Sequence, residues 1–261
     1  MERVEHHGRT TAYRHVDRTD DGGGPGLCFV HGSGGTGRLW NGQLPLANRT
    51  PVTTLDLSGH GDSDDIDADA GYQTFAAYGD DVLAVLEETD DRVLVGSSLG
   101  GAVLMHLAIE RDLDADALVL AGTGARLGVL DDLLTWLRTD FERAVDFLVE
   151  PGHLVQTDDP DVRERSRAIL TETGRAVTHR DFLSCHRFDV RGDLDAIDGP
   201  ALVVYGSEDK LTPPWFHEYL ADHLPDATLV EIEGAAHLTM LESPAVFNEV
   251  LIDFLETRNL L

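Results

Sequence analysis

Three residue types that together activate an oxygen nucleophile stand in order along this chain: Ser98, Asp209 and His237. Ser98 lies in Gly96-Ser97-Ser98-Leu99-Gly100, a Gly-x-Ser-x-Gly pattern; Asp209 closes Gly206-Ser207-Glu208-Asp209, and His237 closes Glu233-Gly234-Ala235-Ala236-His237. A serine hydroxyl attacks poorly until a base takes its proton, and that base is usually a histidine held by a carboxylate. The order Ser, Asp, His is one of those in which such a triad occurs. Glu208 is the alternative acid, its other reading being a solvated loop charge. The remaining histidines, among them His6, His7, His153, His179, His186, His217 and His223, show no metal-ligand spacing and mostly read as surface residues.

Acyl transfer through a serine also needs donors for the negative charge that develops on the carbonyl oxygen. The backbone N–H of Leu99, opening a helix directly after Ser98, is one. The second belongs to the glycine-rich loop His31-Gly32-Ser33-Gly34-Gly35, with Ser33 as the choice and Gly34 as the alternate. The same loop supports a rival reading. Gly32-Ser33-Gly34-Gly35-Thr36-Gly37 matches the Gly-x-Gly-x-x-Gly of dinucleotide sites, and Asp56 stands where a ribose-binding acid would. The following segment, Arg38 to Pro45, is bulky and interrupted by proline, where that site needs a helix of small residues packed on its strand. No cofactor and no metal are therefore expected.

These residues need strands to end beside one another. Leu27–Val30, Val52–Leu57, Arg92–Val95, Ala117–Ala121, Ala201–Tyr205 and Thr228–Ile232 are short, mostly apolar runs of the kind that form buried parallel strands. Helical spacing covers Tyr72–Glu88, Leu99–Glu110, Trp215–His223 and Ala245–Thr257. Val4–His7 and Thr11–Val16, parted by Gly8, read as an edge hairpin. The alternation of strand and helix predicts an α/β fold, a mostly parallel sheet covered on both faces. Between Gly122 and Ala196 it lapses into three helical stretches, Leu127–Val149, Val162–Glu172 and Val177–Phe188. We therefore divide the chain into a core, 1–122 and 197–261, and a helical cap, 123–196, inserted over the carboxyl edge of the sheet, where ligands bind. Trp40, Trp136 and Phe141 are the expected substrate-binding residues, with Phe147, Phe182 and Phe188 as further lining or cap core.

Composition limits the partners. The chain has 261 residues, with 48 acids against 20 bases and a net charge of −28. Lys210 is the one lysine, and acids recur in surface-like pairs such as Asp64-Asp65, Asp80-Asp81 and Asp131-Asp132. Nucleic acid and anionic membranes are disfavoured as partners. So acidic a surface repels itself at ordinary ionic strength and is relieved when salt shortens the screening length. It looks like the composition of proteins from salt-accumulating halophiles. The charged N-terminus, Met1-Glu2-Arg3-Val4-Glu5-His6-His7, lacks a signal peptide's apolar core, no run approaches a membrane span, and Cys28 and Cys185 make no disulfide framework. A reduced, cytoplasmic protein acting on a small molecule is expected, its oligomeric state left open.

Taken together, His31-Gly32-Ser33-Gly34-Gly35, Asp56-Leu57-Ser58-Gly59-His60-Gly61-Asp62-Ser63, Gly96-Ser97-Ser98-Leu99-Gly100-Gly101, Gly206-Ser207-Glu208-Asp209 and Gly234-Ala235-Ala236-His237 resemble the α/β-hydrolase fold proteins, in the family's own order. The resemblance implies an eight-stranded sheet with a helical cap, Ser98 as nucleophile, His237 as base and Asp209 as acid. Ser97 departs from the His or Asn common before the nucleophile. A serine nucleophile makes the haloalkane dehalogenase and epoxide hydrolase branches poor matches. The expected reaction is hydrolysis of a small carboxylic ester through an acyl-enzyme. A thioesterase, lactonase, C–C hydrolase, proline iminopeptidase or non-catalytic small-ligand receptor of the same fold is the alternative.

Overall fold

The computed structural model describes residues 1–20, 23–111, 113–157 and 159–261. In chain order its strands are β1 (Glu2–His6), β2 (Arg9–Val16), β3 (Leu27–Val30), β4 (Val52–Leu55), β5 (Val93–Ser97), β6 (Ala117–Ala121), β7 (Ala201–Gly206) and β8 (Ala227–Ile232). They form one eight-stranded sheet in the order β1-β2-β4-β3-β5-β6-β7-β8. β1 and β2 make the antiparallel edge hairpin, turning at His7 and Gly8 in the left-handed region, and β2 runs antiparallel to β4. Every later pairing is parallel, with Phe29 opposite Val95 and Val95 opposite Val119. All residues of β3, β5, β6 and β7 are buried, as apolar strands covered on both faces must be.

The helices are α1 (Tyr72–Thr89), α2 (Leu99–Glu110), α3 (Asp131–Thr139), α4 (Phe141–Leu148), α5 (Pro160–Thr173), α6 (Arg175–Arg187), α7 (Pro214–His223), the single turn α8 (Thr239–Glu242) and α9 (Pro244–Thr257). α2 is buried on all sides from Leu99 to Leu107, which suits a helix that must hold a strained turn in place. One apolar cluster gathers Phe29, Trp40 and Phe247 on one face of the sheet; a second gathers Phe75, Tyr78 and Leu104 on the other.

α3 to α6 lie between β6 and β7, so the lapse in alternation is a helical insertion. The stretch expected as one helix from Leu127 to Val149 is two. Asp140 ends α3 and accepts the Arg143 amide to start α4, while Leu127 pairs by its amide with Phe188. Asp81, expected at the surface, is fully buried and binds the Arg9 guanidinium at 2.9 Å.

Candidate active site

β5 ends at Ser97 and α2 starts at Leu99, so Ser98 makes the whole turn. It does so at φ 53°, ψ −114°, a conformation a side chain adopts only under constraint. The constraint is visible. The Ser98 amide donates to Ala121 O (2.9 Å), and the Ser98 carbonyl accepts from Thr123 Oγ1 (2.9 Å) and the Ala102 amide (3.1 Å). The flanking glycines are required by space: a Cβ on Gly96 would stand 2.5 Å from Gly101 N, and one on Gly100 2.3 Å from Val30 O.

Asp209 and His237 leave the ends of β7 and β8. His237 Nδ1 lies 2.9 Å from Asp209 Oδ2, both groups being buried. Asp209 also accepts the amides of Leu211 and Thr212 on Oδ1 and the Thr212 hydroxyl on Oδ2. Burial would push this carboxyl up, but the facing His237 and the hydrogen bonds from His237 and Thr212 outweigh it and hold it below its ordinary value. Nδ1 thus carries its proton towards Asp209, and Nε2 is left for chemistry. Thr212 was not singled out in the sequence; it follows Asp209 by three residues, the reach of a side chain that closes a turn. Glu208 is exposed. Ser98 and His237 line the same cavity, without a direct hydrogen bond among the described residues.

The loop after β3 closes as a turn, the Gly35 amide donating to Gly32 O at 3.0 Å. The two donor choices in it separate here. The Gly34 N–H is committed to Asp181 Oδ2 at 2.9 Å, whereas the Ser33 N–H has no acceptor among the described residues. Gly32 lies against Ser98, its Cβ position 3.2 Å from the serine Cβ. The dinucleotide reading fails on the same ground of prior commitment. Gly37–Asn48 is a 3-10 stretch, and Asp56 is spent on the amides of Gly37 (2.8 Å) and Asp62 (3.0 Å).

The cavity has a volume of about 670 Å³ and is walled mainly by apolar side chains of the insertion and of the segments after β7 and β8, including Leu133, Phe147, Ile169 and Phe182 and, from α7, Trp215. The three expected substrate-binding residues are not on it. Trp40 is fully buried between Phe29 and Phe247, ring centroids 4.9 and 6.0 Å away. Trp136 packs on Phe147 and beneath the Arg143 guanidinium, and Phe141 packs on the apolar core. Phe188 sits against Phe75. Cys185 does line the cavity, but burial pushes its thiol up to about 12, which leaves it protonated and unreactive. His217, expected at the surface, is fully buried and stacks on Tyr205. Among the described residues no group of three His, Cys, Asp or Glu could hold a metal ion, and no helix is long and apolar enough to cross a membrane.

A strained serine elbow, a neighbouring Asp–His pair and an eight-stranded, mostly parallel sheet define the class. The sequence profile of the alpha/beta hydrolase family matches residues 29–250, and the chain belongs to that family. It is similar to a pimeloyl-[acyl-carrier protein] methyl ester esterase of Neisseria meningitidis serogroup C, 31% identical over 249 residues that cover 88% of this chain and 93% of the relative. Among solved structures it is similar to a thermophilic esterase, with 32% identity, a TM-score of 0.86 and coverage of 98% and 97% of the two chains. The enol-lactonase from Burkholderia xenovorans LB400 shares the fold at 23% identity, TM-score 0.86, covering 98% of this chain and all of that one (100%). The chain is a hydrolase of the esterase class.

Proposed function

We propose that the protein hydrolyses a small carboxylic ester with an apolar acyl group through an acyl-enzyme on Ser98. In this reading His237 Nε2 takes the Ser98 proton as Oγ attacks the ester carbonyl. Asp209 holds the imidazole in the required tautomer and stabilises the imidazolium. The N–H groups of Leu99 and Ser33 receive the oxyanion. Collapse expels the alcohol with the proton returned by His237, and a water activated by the same imidazole releases the acid.

The observation that carries this reading is the 2.9 Å Asp209–His237 pair, whose imidazole lines one cavity with Ser98. The cavity's size falls within the range for small-molecule sites. Its apolar walls favour an uncharged acyl chain, and residues 123–196 serve as the cap over it.

The test is hydrolysis of p-nitrophenyl esters of graded chain length at high salt, with Ser98→Ala as control. A product burst in the native protein and a loss of several orders of magnitude in Ser98→Ala are expected. Ester turnover that survives in the variant refutes the assignment.

A further inference from the structure

The helical insertion does more than wall the cavity: it reaches beneath the loop after β3 with a carboxylate. Asp181, on α6, is completely buried. Its Oδ2 accepts from the Gly34 N–H and lies 2.9 Å from His60 Nε2, and its Oδ1 accepts from the Tyr78 hydroxyl at 2.6 Å. The other nitrogen of His60, Nδ1, faces Ser58 O at 3.2 Å. Both ring nitrogens thus point at acceptors, the arrangement of an imidazolium. Burial opposes that charge, yet Asp181 opposite it raises the histidine's pKa, and the histidine in turn lowers the carboxyl's. The acid is therefore an anion supplied with three donors, one of them the backbone of the catalytic loop.

Gly34 is gripped from its other side as well. Thr173 Oγ1, at the end of α5, donates to Gly34 O at 3.0 Å. A Cβ on Gly34 would stand 2.7 Å from Leu170 Cδ2 and 3.1 Å from Thr178 Oγ1. With Gly35 bonded back to Gly32, Gly34 at φ 65° and Ser33 outside the positive-φ region, residues 32–35 have the pattern of a type II turn. Such a turn has a near neighbour, type I, in which the peptide between its two central residues is rotated by about half a turn. Rotation here would replace the Gly34 N–H facing Asp181 with the Ser33 carbonyl, oxygen towards a buried anion. The carboxylate therefore selects one state of the peptide adjoining the Ser33 N–H.

We propose that Asp181 is a positioning residue for ester hydrolysis: carried by the insertion and held charged by His60 and Tyr78, it locks the Gly32–Gly35 turn so that the Ser33 amide meets the oxyanion. The inference rests on the reading of Ser98 and Ser33 given above. It predicts that Asp181 serves the transition state and leaves ground-state binding alone.

The test compares the native protein with Asp181→Asn and Thr173→Val. Measured are kcat and KM on a p-nitrophenyl ester, and inhibition by a trifluoromethyl ketone, which captures the serine as a tetrahedral anion, and by the matching methyl ketone, which does not. For Asp181→Asn we expect kcat to fall about 10- to 100-fold, short of or equal to deletion of an oxyanion donor. KM should stay nearly unchanged, and the trifluoromethyl ketone should lose affinity by the same factor while the methyl ketone keeps its own. Thr173→Val should show the same pattern, weaker, and decides the matter should Asp181→Asn not fold. A folded Asp181→Asn with an unaltered ratio of the two affinities overturns the proposal and leaves Asp181 a structural ion-pair partner; so does an unaltered ratio in Thr173→Val where that variant decides. A native protein with no preference for the trifluoromethyl ketone refutes the serine mechanism itself, and the proposal falls with it.

Discussion

Replacing Ser98 with glycine should leave this protein more stable than replacing it with alanine. Ser98 holds φ 53°, ψ −114°, where a Cβ is strained, and a non-glycine residue in so sparse a region costs roughly 1–3 kcal/mol. Its hydroxyl forms no hydrogen bond among the described residues, so loss of the oxygen forfeits little. Ser98→Ala keeps the Cβ and hence the strain; Ser98→Gly removes it. Against that gain stands the greater freedom of glycine in the unfolded chain, about 0.4–1 kcal/mol. The difference leaves Ser98→Gly ahead of Ser98→Ala by roughly 0.5–2 kcal/mol. For a chain near this length that is a rise in Tm of about 1–8 °C. Both variants should be inactive, so calorimetry or urea unfolding at molar salt compares them without interference from turnover. Should Ser98→Gly unfold at or below the temperature of Ser98→Ala, the elbow stores no strain, and the account of how the fold presents its hydroxyl is wrong.

Two further outcomes follow from buried and surface charge. Neither ring nitrogen of His217 has a partner among the described residues, and burial, the largest cause, lowers its pKa to about 4. The unfolded chain binds this proton from about pH 6.5 downward while the folded one does not, so stability is full above pH 6.5 and is lost as pH falls towards 4, by up to roughly 3 kcal/mol; His217→Phe should flatten that limb in unfolding measurements between pH 7 and 4, and an unchanged slope would refute the assignment. With a net charge of −28, the fold should weaken and activity fall below about 0.5 M salt as screening lengthens, and full activity in dilute buffer would show that the surface needs no such relief.

The sheet was legible because parallel strands buried on both faces have a distinctive composition. Leu27–Val30 and Ala117–Ala121 are apolar at every position and flanked by turn residues, and both are strands with those bounds. α2 begins and ends as its spacing predicts because Ser98 and the close-packed glycines leave the chain one path. Trp40 was misplaced for a physical reason. An apolar ring on a short helical stretch can face a core or a cavity, and hydrophobicity does not distinguish them. The buried set Leu39, Trp40, Gln43, Leu46 and Ala47 carried helical spacing that argued for the core. Asp140 hid a helix break because it serves two helices at once, ending one and capping the next. Asp181 was illegible altogether. It is one aspartate among many in an acidic chain, and what sets it apart is a histidine 121 residues away and a tyrosine 103 away.

Those long-range contacts bear on what the insertion does. Its middle grips the loops of Asp209 and His237, since carbonyls of Gly152, His153 and Leu154 accept from the amides of Lys210 (2.9 Å), His237 (3.3 Å) and Leu238 (2.9 Å). At the opposite side Asp181 and Thr173 hold Gly34. The insertion is thus bonded to the backbone on both sides of Ser98, at the loop of the proposed oxyanion donor and at the loops of Asp209 and His237. A lid that swung open would have to break both sets of bonds. An insertion tied down in this way acts as a clamp on the loops that the sheet delivers, and it couples the shape of the cavity to the alignment of Ser98, Asp209 and His237.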